Sequence, residues 1–183
     1  MTTAASPGPG RFRRTLAHGL RLLPEFLLIS AIVFGAHWYQ TRSLLPADAT
    51  AAPAFRLETL DGGYVELSDL RGRPTLLYFF APWCRICAAS ADNIRRLRAA
   101  IDADQLDVVM IALSYDDRGS VRTFALQHEL QVPVLLGTPA TASDFQIPGF
   151  PTYYVLDSNN AIVSRDYGYT TYPGLRLRTF LVD

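Results

Sequence analysis

The stretch "PTLLYFFA", Pro74 to Ala81, is a continuous apolar and aromatic run of strand length, and the chain's only two cysteines, Cys84 and Cys87, follow it directly. A run without polar alternation is expected of a central strand buried on both faces, so the chain must supply a covering layer on each side. Ile86, Ile94, Leu97 and Ile101 then recur at roughly helical spacing with Arg95, Arg96 and Arg98 between them, and a helix opens at or just after the cysteines. "LDVVMIALS", Leu106 to Ser114, reads as a second buried strand. Arg118 to Leu130 is a helix with Asp116-Asp117-Arg118 as its start signal, "VPVLLG" a short strand, and Ala140 to Phe145 a short helix. "TYYVLD" runs through the Ser158-Asn159-Asn160 turn into "AIVSRDY", an antiparallel pair. Ahead of the central strand, "FRLETLDGGYVEL" gives two short strands around Asp61-Gly62-Gly63, and Glu66 to Asp69 begins a short helical turn. The alternation predicts an α/β sandwich with a mixed central sheet.

At 183 residues, 49% hydrophobic and 19% charged, the chain suits one packed domain plus an appendage. Its net charge of +0 hides an asymmetry: residues 1–43 carry five arginines against Glu25 alone, and the remainder carries twelve arginines against sixteen acids. An acidic remainder argues against a nucleic-acid partner. Behind the first arginines lies "LLPEFLLISAIVFGAHWY", Leu22 to Tyr39, and arginines before an apolar run predict a transmembrane helix with its amino terminus in the cytoplasm. A cleaved signal peptide, with Ala47-Asp48-Ala49 as the small-residue site, and a buried core helix are the alternatives. The expected organisation is a cytoplasmic tail at 1–21, loose and Pro/Gly-rich over its first ten residues, an anchor at 22–39, a tether at 40–52 and a folded domain at 53–183.

Cysteine at the mouth of a helix is set up for redox chemistry. Unsatisfied N–H groups and the positive end of the helix dipole stabilise a thiolate, so Cys84 is expected to titrate below the free-thiol value of about 8.5. Arg85 acts in the same direction. Cys87, one turn along, faces inward and is less exposed. Cys84 then exchanges with an outside thiol or disulfide, and Cys87 resolves the mixed disulfide. An inert bridge is the bland alternative, although a four-residue loop removes little chain entropy. A metal site needs about four ligands, and beyond the two cysteines there are only His18, His37 and His128. "IPGFPT", residues 147–152, places Pro151 at the entry of a strand, where a cis Phe150-Pro151 bond makes a fixed corner facing the cysteines.

On "APAFRLETLDGGYVELSDLRGRPTLLYFFAPWCRIC", the "IPGFPT" loop and the strand pair after it, the chain resembles the thioredoxin superfamily, in particular its membrane-anchored TlpA/ResA-like and DsbE-like branch, from about Pro53 to Val182. The tail "GYTTYPGLRLRTF" is similar to that of anchored disulfide oxidoreductases like the suppressor-of-copper-sensitivity D protein. The resemblance implies a thioredoxin-like three-layer sandwich, Cys84 as nucleophile, Cys87 as resolving thiol, and Trp83, Phe150 and Pro151 on the substrate-binding side, with no bound cofactor and no metal. It also shows departures. Thioredoxin has a buried carboxylate six positions before its first active-site cysteine, where this chain has Tyr78; many TlpA/ResA-like proteins have Glu and Pro three and five positions after the second, where it has Ser90 and Asp92.

The expected function is a single-pass, inner-membrane-anchored thiol–disulfide oxidoreductase with its domain in the periplasm, exchanging with protein thiol/disulfide substrates and served by a membrane redox partner. Its direction is that of a reductase, as in cytochrome c maturation, or of an oxidase or isomerase. A copper-binding protein using the same cysteines is the alternative. A peroxidase of the peroxiredoxin kind is disfavoured, because Pro82 lies only two positions before Cys84. His128 is expected on a solvated helix position, and Tyr167, Tyr169 and Tyr172 in aromatic packing of the last strand against the final helix.

Overall fold

The computed structural model describes residues 10–180 and 182; most of the loose tail expected at 1–10 lies outside them. The chain divides into two compact units between Arg42 and Ser43. The first is the helix α1, Gly10–Thr41, with Pro24 inside it. Near its end the Arg42 guanidinium lies 3.9 Å from the centre of the Tyr39 ring.

This unit corrects the expected anchor. No helix among the described residues is long and apolar enough to cross a membrane. Between Glu25 and His37 the uncharged stretch is Phe26 to Ala36, about 16 Å of helix at 1.5 Å per residue against a hydrocarbon core of about 30 Å. The transmembrane helix is therefore withdrawn. The expectations built on it go too: a membrane-anchored function, a lipid bilayer and membrane redox partner, and a single-pass inner-membrane localisation.

The second unit is an eight-stranded mixed sheet in the order β1-β8-β7-β4-β5-β6-β2-β3. Its strands are β1 Thr50–Ala51, β2 Arg56–Thr59, β3 Tyr64–Glu66, β4 Thr75–Phe80, β5 Asp107–Ala112, β6 Val134–Leu136, β7 Thr152–Leu156 and β8 Ala161–Tyr167. The helices of this unit are α2 Arg85–Ala100, α3 Arg118–Gln127, α4 Pro139–Asp144 and α5 Tyr172–Phe180. β4 lies parallel to β5 and antiparallel to β7. All six of its residues are buried, as the uninterrupted apolar run requires. Side chains of a strand alternate between faces: Leu76, Tyr78 and Phe80 join Ile94 and Leu97 of α2, Val121 and Phe124 of α3 and Leu175 of α5. Leu77 and Phe79 join Phe145, Leu67 and Leu70 on the other face. The result is the expected thioredoxin-like α/β sandwich.

Local signals decide the element ends. Asp117 caps α3, its carboxylate accepting the Ser120 N–H at 2.9 Å. Gly62, at φ +98°, turns β2 into the antiparallel β3, a conformation that favours glycine. A 3-10 turn at Leu67–Leu70 carries a capping box between Glu66 and Asp69. His128 ends α3 with its ring 4.5 Å from that of Phe124, packed rather than fully solvated. Of the three late tyrosines, Tyr167 and Tyr172 pack against the two core clusters, whereas Tyr169 is exposed.

Part of the expected tether is built into this unit. Leu44 is buried, Arg165 donates to the carbonyls of both Leu44 and Leu45 at 2.6 Å, and β1 pairs antiparallel with β8. The Leu45 N–H donates to the Tyr154 hydroxyl at 3.1 Å, and that hydroxyl donates to the Phe145 carbonyl at 2.8 Å.

Burial holds the Tyr78 phenol well above its ordinary range and pushes Tyr153 and Tyr154 each up to about 12. Unfolded tyrosines ionise near pH 10, so the stability of the protonated, buried phenols is complete below pH 10 and drains away as pH rises toward about 12. Urea denaturation across that window should show a falling unfolding free energy, with a shallower fall in Tyr154→Phe. At Gly137 a Cβ would meet Leu113 Cδ2 at 2.6 Å and the Ala112 carbonyl oxygen at 2.9 Å. Gly137→Ala should cost about 1–3 kcal/mol by the same measurement, the usual range for overpacking.

Candidate active site

β4 delivers the chain to the site. Its last residue, Phe80, is buried, and Ala81 turns the backbone by accepting the Cys84 N–H at 3.0 Å. Cys84 is the N-cap of α2, with extended backbone at φ −79° and ψ 108°, and its Sγ accepts the Cys87 N–H at 3.1 Å. A sulfur at an N-cap takes the place of the usual Ser, Thr or Asp oxygen and satisfies one of the first-turn N–H groups. Cys84 and Cys87 are joined by a disulfide with Cα atoms 5.2 Å apart. Cys84 is 7% exposed and Cys87 is fully buried, so an incoming sulfur meets Cys84 first. Arg85 and Ile86 stand exposed beside it.

Trp83 is 65% exposed and still held in place: its Nε1–H donates to the Ser114 carbonyl at 2.7 Å, and its ring meets Phe150 edge-on, with centroids 5.9 Å apart. Ser114 sits at φ +50°, a left-handed conformation uncommon for a residue with a side chain. Phe150-Pro151 is cis. The loop around it is tied on both sides: the Thr152 hydroxyl donates to the Gly149 carbonyl at 2.8 Å, and the Gly168 N–H donates to the Pro151 carbonyl at 2.9 Å. A Cβ on Gly149 would lie 2.7 Å from the Tyr167 hydroxyl, so Tyr167 fits under this loop because position 149 is glycine. Beside Trp83 a groove of about 310 Å³ runs between Pro82, Tyr115, Asp116, Ser120 and Phe124.

Behind the cysteines the site is polar and closed. The Tyr78 hydroxyl donates to the Cys87 carbonyl at 3.1 Å, and the Tyr78 ring lies 4.9 Å from that of Tyr153. Ser90 is fully buried. The structure therefore brings together Trp83, Cys84, Cys87 and Phe150, with Pro151 buried in the same loop. Sequence reasoning missed Ser114, which anchors Trp83, and the packing of the Tyr153 ring against that of Tyr78. Pairing across strands, which no short motif carries, sets both. Among the described residues no three His, Cys, Asp or Glu side chains cluster to hold a metal ion.

Comparisons with known proteins agree with this geometry. The AhpC/TSA family model matches residues 49–175. The chain is 32% identical over 146 residues to the thioredoxin-like protein YneN of Bacillus subtilis, covering 76% of this chain and 85% of that one. It is 28% identical over 123 residues to the thiol-disulfide oxidoreductase ResA of Bacillus cereus, covering 66% and 69%. Among solved structures, a thiol:disulfide interchange protein of the thioredoxin family from Chlorobium tepidum shares the fold with a TM-score of 0.67 at 22% identity, covering 75% of this chain and 99% of that one. The chain belongs to the AhpC/TSA family and, within the thioredoxin superfamily, to the ResA/DsbE/TlpA-like thiol–disulfide oxidoreductases.

Proposed function

We propose that the chain exchanges disulfides with protein substrates through Cys84 and Cys87, with Cys84 as the reacting sulfur. The observation that carries this reading is the asymmetry of the pair. Cys84 Sγ lies at the α2 N-terminus and accepts an N–H at 3.1 Å, while Cys87 is fully buried. Negative charge on Cys84 is stabilised by that N–H and by the helix dipole.

With the oxidised protein, a substrate thiolate attacks Cys84 Sγ in line with the Cys84–Cys87 bond. That bond breaks, its electron pair leaves on Cys87, and a mixed disulfide joins substrate to Cys84. A second substrate thiolate releases the oxidised substrate and leaves both cysteines reduced. Run in reverse, the reduced protein attacks a substrate disulfide through Cys84, and Cys87 displaces the substrate. Trp83 and Phe150 form the apolar surface on which the substrate chain lies, and the loop at Pro151 offers backbone for pairing.

Cys84→Ser should abolish exchange with a reduced or scrambled protein substrate. Cys87→Ser should accumulate a mixed disulfide visible on a non-reducing gel; turnover at the normal rate by either variant would refute the assignment. The reduction potential, measured in glutathione and dithiothreitol buffers, then assigns the direction. A value near or below about −270 mV marks a reductant, and one approaching about −120 mV an oxidant.

A further inference from the structure

The groove beside Trp83 lies against the site, and the chemistry of the two cysteines does not use it. Its volume of about 310 Å³ is near the floor of about 300 Å³ at which pockets begin to hold whole small molecules. That size suits one long side chain.

Trp83 joins the groove to the cysteines. It directly precedes Cys84. Its ring meets Phe150 edge-on, while its Nε1–H is tied to the Ser114 carbonyl at 2.7 Å, next in the chain to Tyr115 and Asp116 of the groove. A substrate chain lying on Trp83 and Phe150 therefore has the groove within reach of the side chains that flank its cysteine.

The lining has a definite chemistry. Trp83 and Tyr115 give it aromatic surface, Ser120 and Thr123 give hydroxyls, Asp116 gives a carboxylate, and no arginine or histidine lines it. Local bonding leaves that carboxylate unpartnered. Of the Asp116-Asp117-Arg118 start signal, Asp117 caps α3 and Arg118 pairs with Glu58 of β2 at 2.5 Å. Arg122 donates to the Leu60 carbonyl at 3.0 Å and faces Asp61 at 3.9 Å. Asp116 is exposed and has neither a hydrogen bond nor an ion pair among the described residues. The groove is thus an aromatic wall with an acceptor-only group at its mouth. A basic side chain complements it, with its alkyl stem on aromatic surface, its cationic head over a ring face and a carboxylate in reach. An acidic side chain would be repelled by Asp116 and by Asp117 beside it.

We infer that this groove selects protein substrates carrying a lysine or arginine within a few residues of the reacting cysteine, with Asp116 and Trp83 as specificity-determining residues, an inference that rests on the exchange reading above. The basic side chain enters the groove and holds the substrate chain on Trp83, so that its sulfur meets Cys84 more often. The exchange steps themselves are unchanged. Because the ion pair is open to solvent, its contribution is modest and screened by salt.

The test uses the reduced full-length chain in excess over short peptides of glycine, serine and alanine. Each peptide has one cysteine, carried as its mixed disulfide with thionitrobenzoate. Cys84 attacks the peptide sulfur, the bond between the peptide and thionitrobenzoate sulfurs breaks, and thionitrobenzoate leaves with the electron pair as a coloured thiolate. Lysine, methionine or glutamate is placed at one position at a time, stepped from three before the cysteine to three after. Each rate is divided by that of the same peptide with dithiothreitol, which removes the peptide's own reactivity. Lysine should exceed methionine by about three- to thirtyfold at its best position, the combined size of an exposed ion pair and a cation–π contact. Glutamate should be slowest there, and the preference should fade as salt is raised. Asp116→Asn should lower the lysine-to-methionine ratio to about two- to fivefold, the cation–π part alone. Thr123→Lys, which sets a cation in the groove from an exposed position of α3, should abolish the preference. Asp104→Asn, which removes an exposed acid beyond the end of α2 far from Cys84, should keep the wild-type ratio. A lysine preference equal at every position, a ratio unchanged in Asp116→Asn and Thr123→Lys, or an equal loss in Asp104→Asn would overturn the groove's role. No thionitrobenzoate release from any peptide by wild type would overturn the exchange reading, and the groove's role with it.

Discussion

The pairing of β4 between β5 and β7 is the constraint from which the site is built. A strand hydrogen-bonded on both edges and covered on both faces cannot slip by one residue, because a slip would exchange the two sets of buried side chains, Leu76, Tyr78 and Phe80 against Leu77 and Phe79. That fixed register decides where the strand stops, and the backbone turn at Ala81 then starts α2 at a defined place. Cys84 occupies the N-cap because the strand ends four residues earlier at Phe80. The same register sets Phe79 opposite Thr152 on β7, which brings the Phe150-Pro151 corner alongside the cysteines. Two segments far apart in sequence meet at the site because one strand between them is immovable.

The two cysteines differ because they stand on opposite sides of a boundary between solvent and core. Cys84 is at the rim, under an exposed Trp83, and its sulfur is bonded by a backbone N–H. Cys87, one helical turn further, lies in the buried cluster that holds Tyr78 of β4 and Tyr153 of β7. Helix geometry alone produces this division, since residues three apart lie on one face but at different depths. Behind the deeper cysteine the Tyr78 hydroxyl donates to the Cys87 carbonyl and ties the first turn of α2 to β4.

Much of this was legible in the sequence, for reasons that differ by element. β4 and β5 could be read because a strand buried on both faces leaves an uninterrupted apolar run, and α3 could be started at Asp117 because capping chemistry is local. Cys84 could be placed at a helix mouth because the strand run and the helical spacing of Ile94 and Leu97 meet there. β1 could not be read: two residues carry no periodicity, and Thr50–Ala51 is ordered by its pairing with Ala161 and Ile162 more than a hundred residues away. The α1 stretch was misread because its flanking arginines and interfacial aromatics imitate an anchor, while the uncharged part between Glu25 and His37 is too short for one.

The departures from the family pattern have a common physical consequence. Where thioredoxin keeps a buried carboxylate before its first cysteine, this chain has Tyr78, and where relatives have Glu after the second, it has Ser90. Each change removes a group that would be ionised, or costly to keep neutral, in the core. Asp166, which accepts bonds from Thr170 and Arg178, is the carboxylate left beside Tyr153. The core behind Cys87 therefore carries neutral hydroxyls, and the nearby carboxylate, Asp166, stands two strands from β4, on β8, where Arg178 pairs with it. A buried thiolate at Cys87 is less opposed electrostatically in such a core than it would be beside a fixed negative charge.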